Sequence, residues 1–384
     1  MATKLAAVWR QATDTTVERP SLQWRDHLVT TLLTTWALIG LYIDGWAHNS
    51  LVGLESFFTP WHGILYAGIA ALSGSTLWRV ARLQRPGTFD VRAIPVGYGL
   101  ALVGLALLGV GAVSDATWHE LLGFDAGVEA PFSPPHLILL TGGLLVTSAP
   151  LRAVWSRTGS FAPTLREILP TLWSLTLTTA LVVFFLHYHT VFFRNVTPAR
   201  PFVDSLARFT EAHDARTSMV EALTRLGPPA FPYRYYTVLA GTACVLITNL
   251  ILMTPVLLLI RRWRPPFGSV TILFTVVAAL TSVLAGFRDV AMLIVALVGG
   301  VAGDVLIAAL RPSDPDRMAA FRVVAMLIPL ALWATYFIVV TLAYGGLGWT
   351  PALWSGTTLM ACLGGLGLSV IIAPSSAPAL VRQP

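Results

Sequence analysis

The feature that most constrains this chain is a succession of long apolar stretches separated by short, mostly basic punctuation. A helix crossing a bilayer needs roughly 20 mostly apolar residues, because lipid offers no partner for backbone N–H and C=O groups. Ten stretches come near that length, at approximately 28–48, 62–80, 94–114, 135–151, 169–192, 236–260, 268–286, 289–310, 322–343 and 352–373. With 55% hydrophobic and 11% charged residues and a mean hydropathy of +0.71, the sequence predicts an all-α, polytopic integral membrane protein and excludes a soluble enzyme.

The basic residues orient those spans. The first 27 residues carry Lys4, Arg10, Arg19 and Arg25 without the short apolar core of a secretory signal, so they read as a retained cytoplasmic tail. If the chain starts inside, seven basic residues fall outside: Arg194, Arg200, Arg208, Arg216, Arg225, Arg234 and Arg288. The other 18 of the 25 lie inside, which predicts both termini in the cytoplasm and an inner or plasma-membrane location. The net charge of +6 then faces anionic lipid headgroups, and nucleic-acid binding is not expected. Cys244 and Cys362 fall in apolar runs, where a thiol packs as a small hydrophobe. Three regions follow: the tail at 1–27, a four-helix metal-binding region at 28–155, and a six-helix membrane region at 156–384. The last carries one long outer loop, 194–235, with short amphipathic helices expected at 203–209 and 218–226.

A repeated motif brings chemistry into the second region. Its first copy reads Asp44-Gly-Trp-Ala-His48 followed by Phe58-Thr59-Pro60-Trp61-His62. The second reads Asp115-Ala-Thr-Trp118-His119 followed by Phe132-Ser133-Pro134-Pro135-His136. Residues four apart share one helical face, so each Asp-His pair forms half a chelate. A proline just before His62 and His136 suits the first turn of a returning helix, which sets each histidine opposite the pair of its own hairpin. One carboxylate with two imidazoles suits copper, zinc or iron and leaves a coordination position open. Asp44 lies roughly 24 Å along its helix at ~1.5 Å per residue, near the outer edge of a ~30 Å slab. The six candidate ligands are therefore Asp44, His48, His62, Asp115, His119 and His136, facing the outer side. Two mononuclear sites and one dinuclear centre both remain compatible with the spacing.

At these residues the chain resembles the C subunit of the particulate methane and ammonia monooxygenases, the copper-dependent membrane monooxygenases. That family has an Asp, three residues, a His, then Phe-Thr-Pro-X-His at the start of the next helix. Asp44, His48 and His62 match it position by position, and Asp115, His119 and His136 fall on a second copy in which the family has Asn for the first Asp. The resemblance covers approximately residues 40–150. It implies copper as the metal and, for an enzyme, hydroxylation of a small apolar substrate with dioxygen and electrons from a quinol or another donor. It also implies partner subunits in the membrane or on its outer side; a second copy of the chain is a further candidate partner. One helix precedes the first motif here and some six follow the second, and the soluble copper domain of the family's B subunit is absent. Two rivals stand beside this reading: a copper or zinc transporter or assembly factor without catalysis, and a haem electron-transfer protein.

Other polar residues carry weaker expectations. His187 and His189, two apart, point to nearly opposite helix faces, so at most one would join a site. Asp304 sits within an apolar run, where a carboxylate faces a cavity, a polar partner or a proton path; pairing with a cytoplasmic arginine is favoured. Glu55, Glu120, Asp125 and Glu129 read as solvated loop charge, with Glu120 beside His119 as a candidate support. Trp46, Trp61 and Trp118 read as an interfacial aromatic belt. His27 and His213 stand alone.

Overall fold

A computed structural model of the chain describes residues 19–51, 59–87, 89–123, 128–156, 161–193, 195, 197 and 233–374, with side chains from 238 in the last segment. Most of the outer loop with its two expected helices, and Glu55, Asp125 and His213, lie outside the described residues. Eleven α-helices are described: α1 (Trp24–Ser50), α2 (Pro60–Ala81), α3 (Gly99–Leu122), α4 (Pro134–Thr147), α5 (Ala149–Trp155), α6 (Leu165–Phe185), α7 (Tyr233–Arg262), α8 (Ser269–Leu284), α9 (Ala291–Leu310), α10 (Met318–Tyr344) and α11 (Pro351–Ile372). Among the described residues there is no β-strand.

Eight of these helices are long and apolar enough to cross a membrane, and a ninth span arises if α4 and α5 are taken together. Large apolar side chains such as Leu77, Val113, Leu342 and Ile371 lie exposed on them. A soluble protein would bury such a surface, and lipid removes the need, so this is the architecture of a multi-pass membrane protein in contact with lipid.

Two of the ten expected spans are bent or short. The fourth bends by 41° between α4 and α5, where Pro150 in the first turn of α5 cannot donate a backbone hydrogen bond. Arg152 then donates to the Leu145 carbonyl at 2.7 Å, an acceptor at the break, and to the Gly97 carbonyl ahead of α3 at 2.9 Å. The seventh forms only the 16 residues of α8. Asp304 accounts for its start: from α9, its two carboxylate oxygens accept the Val270 and Thr271 backbone N–H groups at 3.0 Å each and the Thr271 hydroxyl at 2.6 Å. The first turn of a helix has orphan N–H donors, and a neighbouring carboxylate supplies both the acceptors and the favourable charge. The favoured arginine partner of Asp304 is thus replaced by a helix terminus.

The chain divides into two compact units. The first comprises Met1–Ser160, Arg166–Leu186 and Val283–Gly286. It therefore takes in most of α6, beyond the expected boundary near residue 155: the Tyr42 hydroxyl donates to the Ala180 carbonyl at 2.8 Å and Trp173 Nε1 to the Thr35 hydroxyl at 2.8 Å. Within this unit, α1 and α2 form one hairpin and α3 and α4 another. Glycine sets both crossings. A Cβ on Gly40 would lie 2.7 Å from the Leu65 backbone, and one on Gly104 would lie 2.7 Å from the Gly142 carbonyl oxygen. Close approach through small residues is how helices pack where lipid supplies no hydrophobic drive. Leu72, Leu108 and Val146 form a buried cluster joining α2, α3 and α4, with Leu33 of α1 packed against it.

The second unit comprises Phe161–Leu165, His187–Ser282 and Phe287–Pro384. Asn249 of α7 ties three of its helices: its amide donates to the Ala361 carbonyl and its oxygen accepts from Trp333 Nε1, both at 3.0 Å. A second polar group gathers where α9 begins and α10 ends. Asp289 accepts from the Asn195 amide at 3.1 Å and from the Tyr344 hydroxyl, and the Asn195 carbonyl oxygen accepts from the Tyr336 hydroxyl at 2.8 Å.

Candidate metal centre

All six residues singled out by the motif lie in the first unit, and the structure gathers them into two trios. Within Asp44, His48 and His62, one donor atom from each residue lies within 4.8 Å of the others, and the same holds for Asp115, His119 and His136. The expected helical geometry produces this. Asp44 and His48 occupy the last two turns of α1, and Asp115 and His119 those of α3, four apart on one face. His62 and His136 stand in the first turns of α2 and α4, each behind a proline in that turn.

The Thr/Ser in each motif has a defined task. Thr59 is the residue that caps α2: its Oγ1 accepts the His62 backbone N–H at 3.2 Å and also meets His62 Nδ1 at 3.2 Å. Ser133 precedes α4, and its Oγ lies 2.9 Å from His136 Nδ1, which also reaches the Ala130 carbonyl oxygen at 2.6 Å. His119 Nδ1 lies 3.3 Å from the Gly123 carbonyl oxygen. A ring nitrogen facing a carbonyl carries a proton, so in the neutral ring Nε2 is the nitrogen able to bind a metal. In each of these three histidines Nδ1 is thus held from behind, as in histidines that bind metals through Nε2.

The Nε2 atoms converge on the carboxylates. Asp44 Oδ2 lies 3.7 Å from His48 Nε2 and 3.4 Å from His62 Nε2. Asp115 Oδ1 lies 3.3 Å from His119 Nε2 and 3.2 Å from His136 Nε2. Two donors that each sit ~2.1 Å from a first-row ion, at angles between square and tetrahedral, are separated by about 3.0–3.4 Å. Three of the four separations fall in or near that range, and the fourth, to His48, is 3.7 Å.

Charge and burial point the same way. Asp44 and Asp115 are buried, 7% and 3% exposed, and among the described residues neither pairs with a Lys or Arg. Asp44 Oδ1 and Asp115 Oδ1 are buried without a hydrogen-bond partner among the described residues. A buried carboxylate without a cationic partner is costly, and an ion at the centre of each trio would supply one and meet both of these oxygens.

One participant is not in the motif. The Tyr66 hydroxyl, one turn beyond His62 on α2, donates to Asp115 Oδ2 at 3.3 Å, while its ring packs 6.1 Å from the His62 ring. The two trios are therefore neighbours. A tyrosine at i+4 from a candidate ligand was the available sequence signal, but its partner lies 49 residues away.

The remaining candidates fall elsewhere. α6 ends at Phe185 and residues 187–189 form a 3-10 turn, with the His187 ring against Tyr188 and Phe193. Neither His187 nor His189 joins a metal-compatible group among the described residues. Glu129 is exposed in the turn before α4, and Glu120, expected in a loop, is exposed in the last turn of α3. Trp46 and Trp61 pack edge-to-face at 5.9 Å beside the first trio. His27 is buried near the opposite end of α1, with Nδ1 3.0 Å from the Tyr98 hydroxyl.

No family model matches this chain, and no curated protein or solved structure matches it either. The fold and the two trios alone define what it is: a multi-pass, all-helical membrane protein with two groups of side chains able to hold metal ions.

Proposed function

We propose that the chain is a membrane metalloprotein similar to the C subunit of the copper membrane monooxygenases, with one copper ion in each trio. The observation that supports this most is the spacing of Asp44, His48 and His62 and of Asp115, His119 and His136, close to ligand–ligand separation around a first-row ion. Copper is favoured by the motif's resemblance, and zinc is the alternative for the same donors. With both termini in the cytoplasm, as the arginine distribution favours, the trios sit toward the outer face of the plasma membrane.

Copper would supply dioxygen activation, and the protein's residues set the conditions for it. The imidazoles fix geometry through Thr59, Ser133 and Gly123; the carboxylates offset positive charge; three ligands leave a position for water or substrate. An apolar substrate would reach the centres from lipid. The balanced reaction takes R–H, O2, two electrons and two protons to ROH and water, with a quinol as donor.

A carrier or assembly factor without catalysis is the second reading. It is favoured by the partial exposure of His48 and His136, whose side chains are 30% and 27% accessible, as ion exchange requires. Copper-loaded protein in nanodiscs, given a quinol, a short alkane and 18O2, separates the two. Label in the alcohol supports the enzyme; copper transfer to a chelator or across a vesicle without any product supports the carrier.

A further inference from the structure

We infer that Tyr66 is a positioning residue that makes the two centres unequal, by restricting Asp115 to one-oxygen coordination while Asp44 keeps both oxygens available. This rests on the reading of the trios as metal sites. The two carboxylates are not presented alike. Asp115 turns Oδ1 to His119 and His136, and its Oδ2 accepts the Tyr66 hydroxyl at 3.3 Å. Asp44 turns Oδ2 to His48 and His62, and its Oδ1 is buried without a hydrogen-bond partner among the described residues.

The consequence is chemical. A carboxylate oxygen that accepts a phenol hydrogen bond is a weaker ligand, and rotation to chelate through both oxygens would break that bond. The second centre is thus held at one oxygen and two nitrogens, with its open position preserved. The first can take an ion through two oxygens and two nitrogens. Tyr66 is well placed for this because its ring rests against His62, which fixes the hydroxyl between the centres. Tyr66→Phe removes the hydroxyl and keeps the ring, so it isolates the hydrogen bond from the packing.

The test uses full-length protein in detergent, titrated with Cu(II) and followed by electron paramagnetic resonance. Wild type with two equivalents should give two superposed Cu(II) spectra, and a single spectrum overturns the inference without any variant. With the first centre disabled by His48→Ala, adding Tyr66→Phe should alter the remaining spectrum and tighten binding by about tenfold, because both Asp115 oxygens are then available; a second centre that binds more weakly overturns the inference. With the second centre disabled by His119→Ala, the same change should leave the spectrum unaltered and affinity within about twofold. Equal weakening of both centres, or no effect on either, overturns the role of Tyr66 while leaving metal binding intact. Wild type that binds no copper overturns both the inference and the reading beneath it.

Discussion

Thr59 and His62 stand one helical turn apart, and a single hydroxyl serves both the backbone and the ring of the histidine: Thr59 Oγ1 lies 3.2 Å from His62 N and 3.2 Å from His62 Nδ1. This explains why a Thr/Ser, a proline and a histidine recur at that spacing before α2 and α4. Before α2 the hydroxyl both caps the helix and aims the imidazole; before α4 the Ser133 hydroxyl meets the His136 ring alone. Thr59→Val should therefore cost about 0.5–2 kcal/mol through the lost cap and weaken copper binding at the first centre about 10–100-fold. Thr59→Ser should restore both, because serine keeps the hydroxyl that caps the helix and meets the ring. Isothermal titration beside thermal unfolding checks the pair of effects.

The glycine crossings predict a site-selective packing defect. Gly104→Val would drive a side chain into the Gly142 carbonyl, 2.7 Å from the added Cβ, and separate α3 from α4. Overpacking of this kind costs about 1–3 kcal/mol. The separation should release the ion of the second trio and leave the first bound, which copper analysis after gel filtration reads directly.

Asp304 is expected to matter for stability and not for metal. Asp304→Ala would strip two backbone N–H groups and the Thr271 hydroxyl of their acceptor. Leaving buried donors unsatisfied should cost roughly 2–4 kcal/mol. The melting temperature in detergent should fall while copper content stays unchanged; a variant that unfolds at the wild-type temperature contradicts the capping role.

Asp289 gives the pH dependence. Burial holds its carboxyl above the ordinary value of 3.8, despite the bonds from Tyr344 and Asn195 that favour the charged form. The folded state therefore binds this proton more tightly than the unfolded state. Its contribution to stability is complete below about pH 4 and is lost as pH rises through the folded value. Asp289→Asn is uncharged throughout, so its melting temperature relative to wild type should rise steadily between about pH 4 and pH 7.

The trios were legible in the sequence because their logic is local. Asp44 with His48 and Asp115 with His119 need only the helical repeat, and His62 and His136 need only a proline that starts a returning helix. Tyr66 and Asp304 were not legible in this way. Each depends on a partner from another helix, Asp115 for the first and the α8 terminus for the second, and helix packing alone decides which faces meet. The bend at Ser148 had its signal in Pro150, but an apolar run of adequate length hides a break. The placement of α6 in the first unit rests on Tyr42 and Trp173 hydrogen bonds that no periodicity encodes.

Copper content of purified full-length protein, beside His48→Ala and His119→Ala, tests the central claim most directly. Two equivalents in wild type and one in each variant are predicted. A wild type without copper, or either variant that keeps both equivalents, contradicts two separate trios each holding an ion; loss of both ions from either variant contradicts it too, in favour of one shared centre.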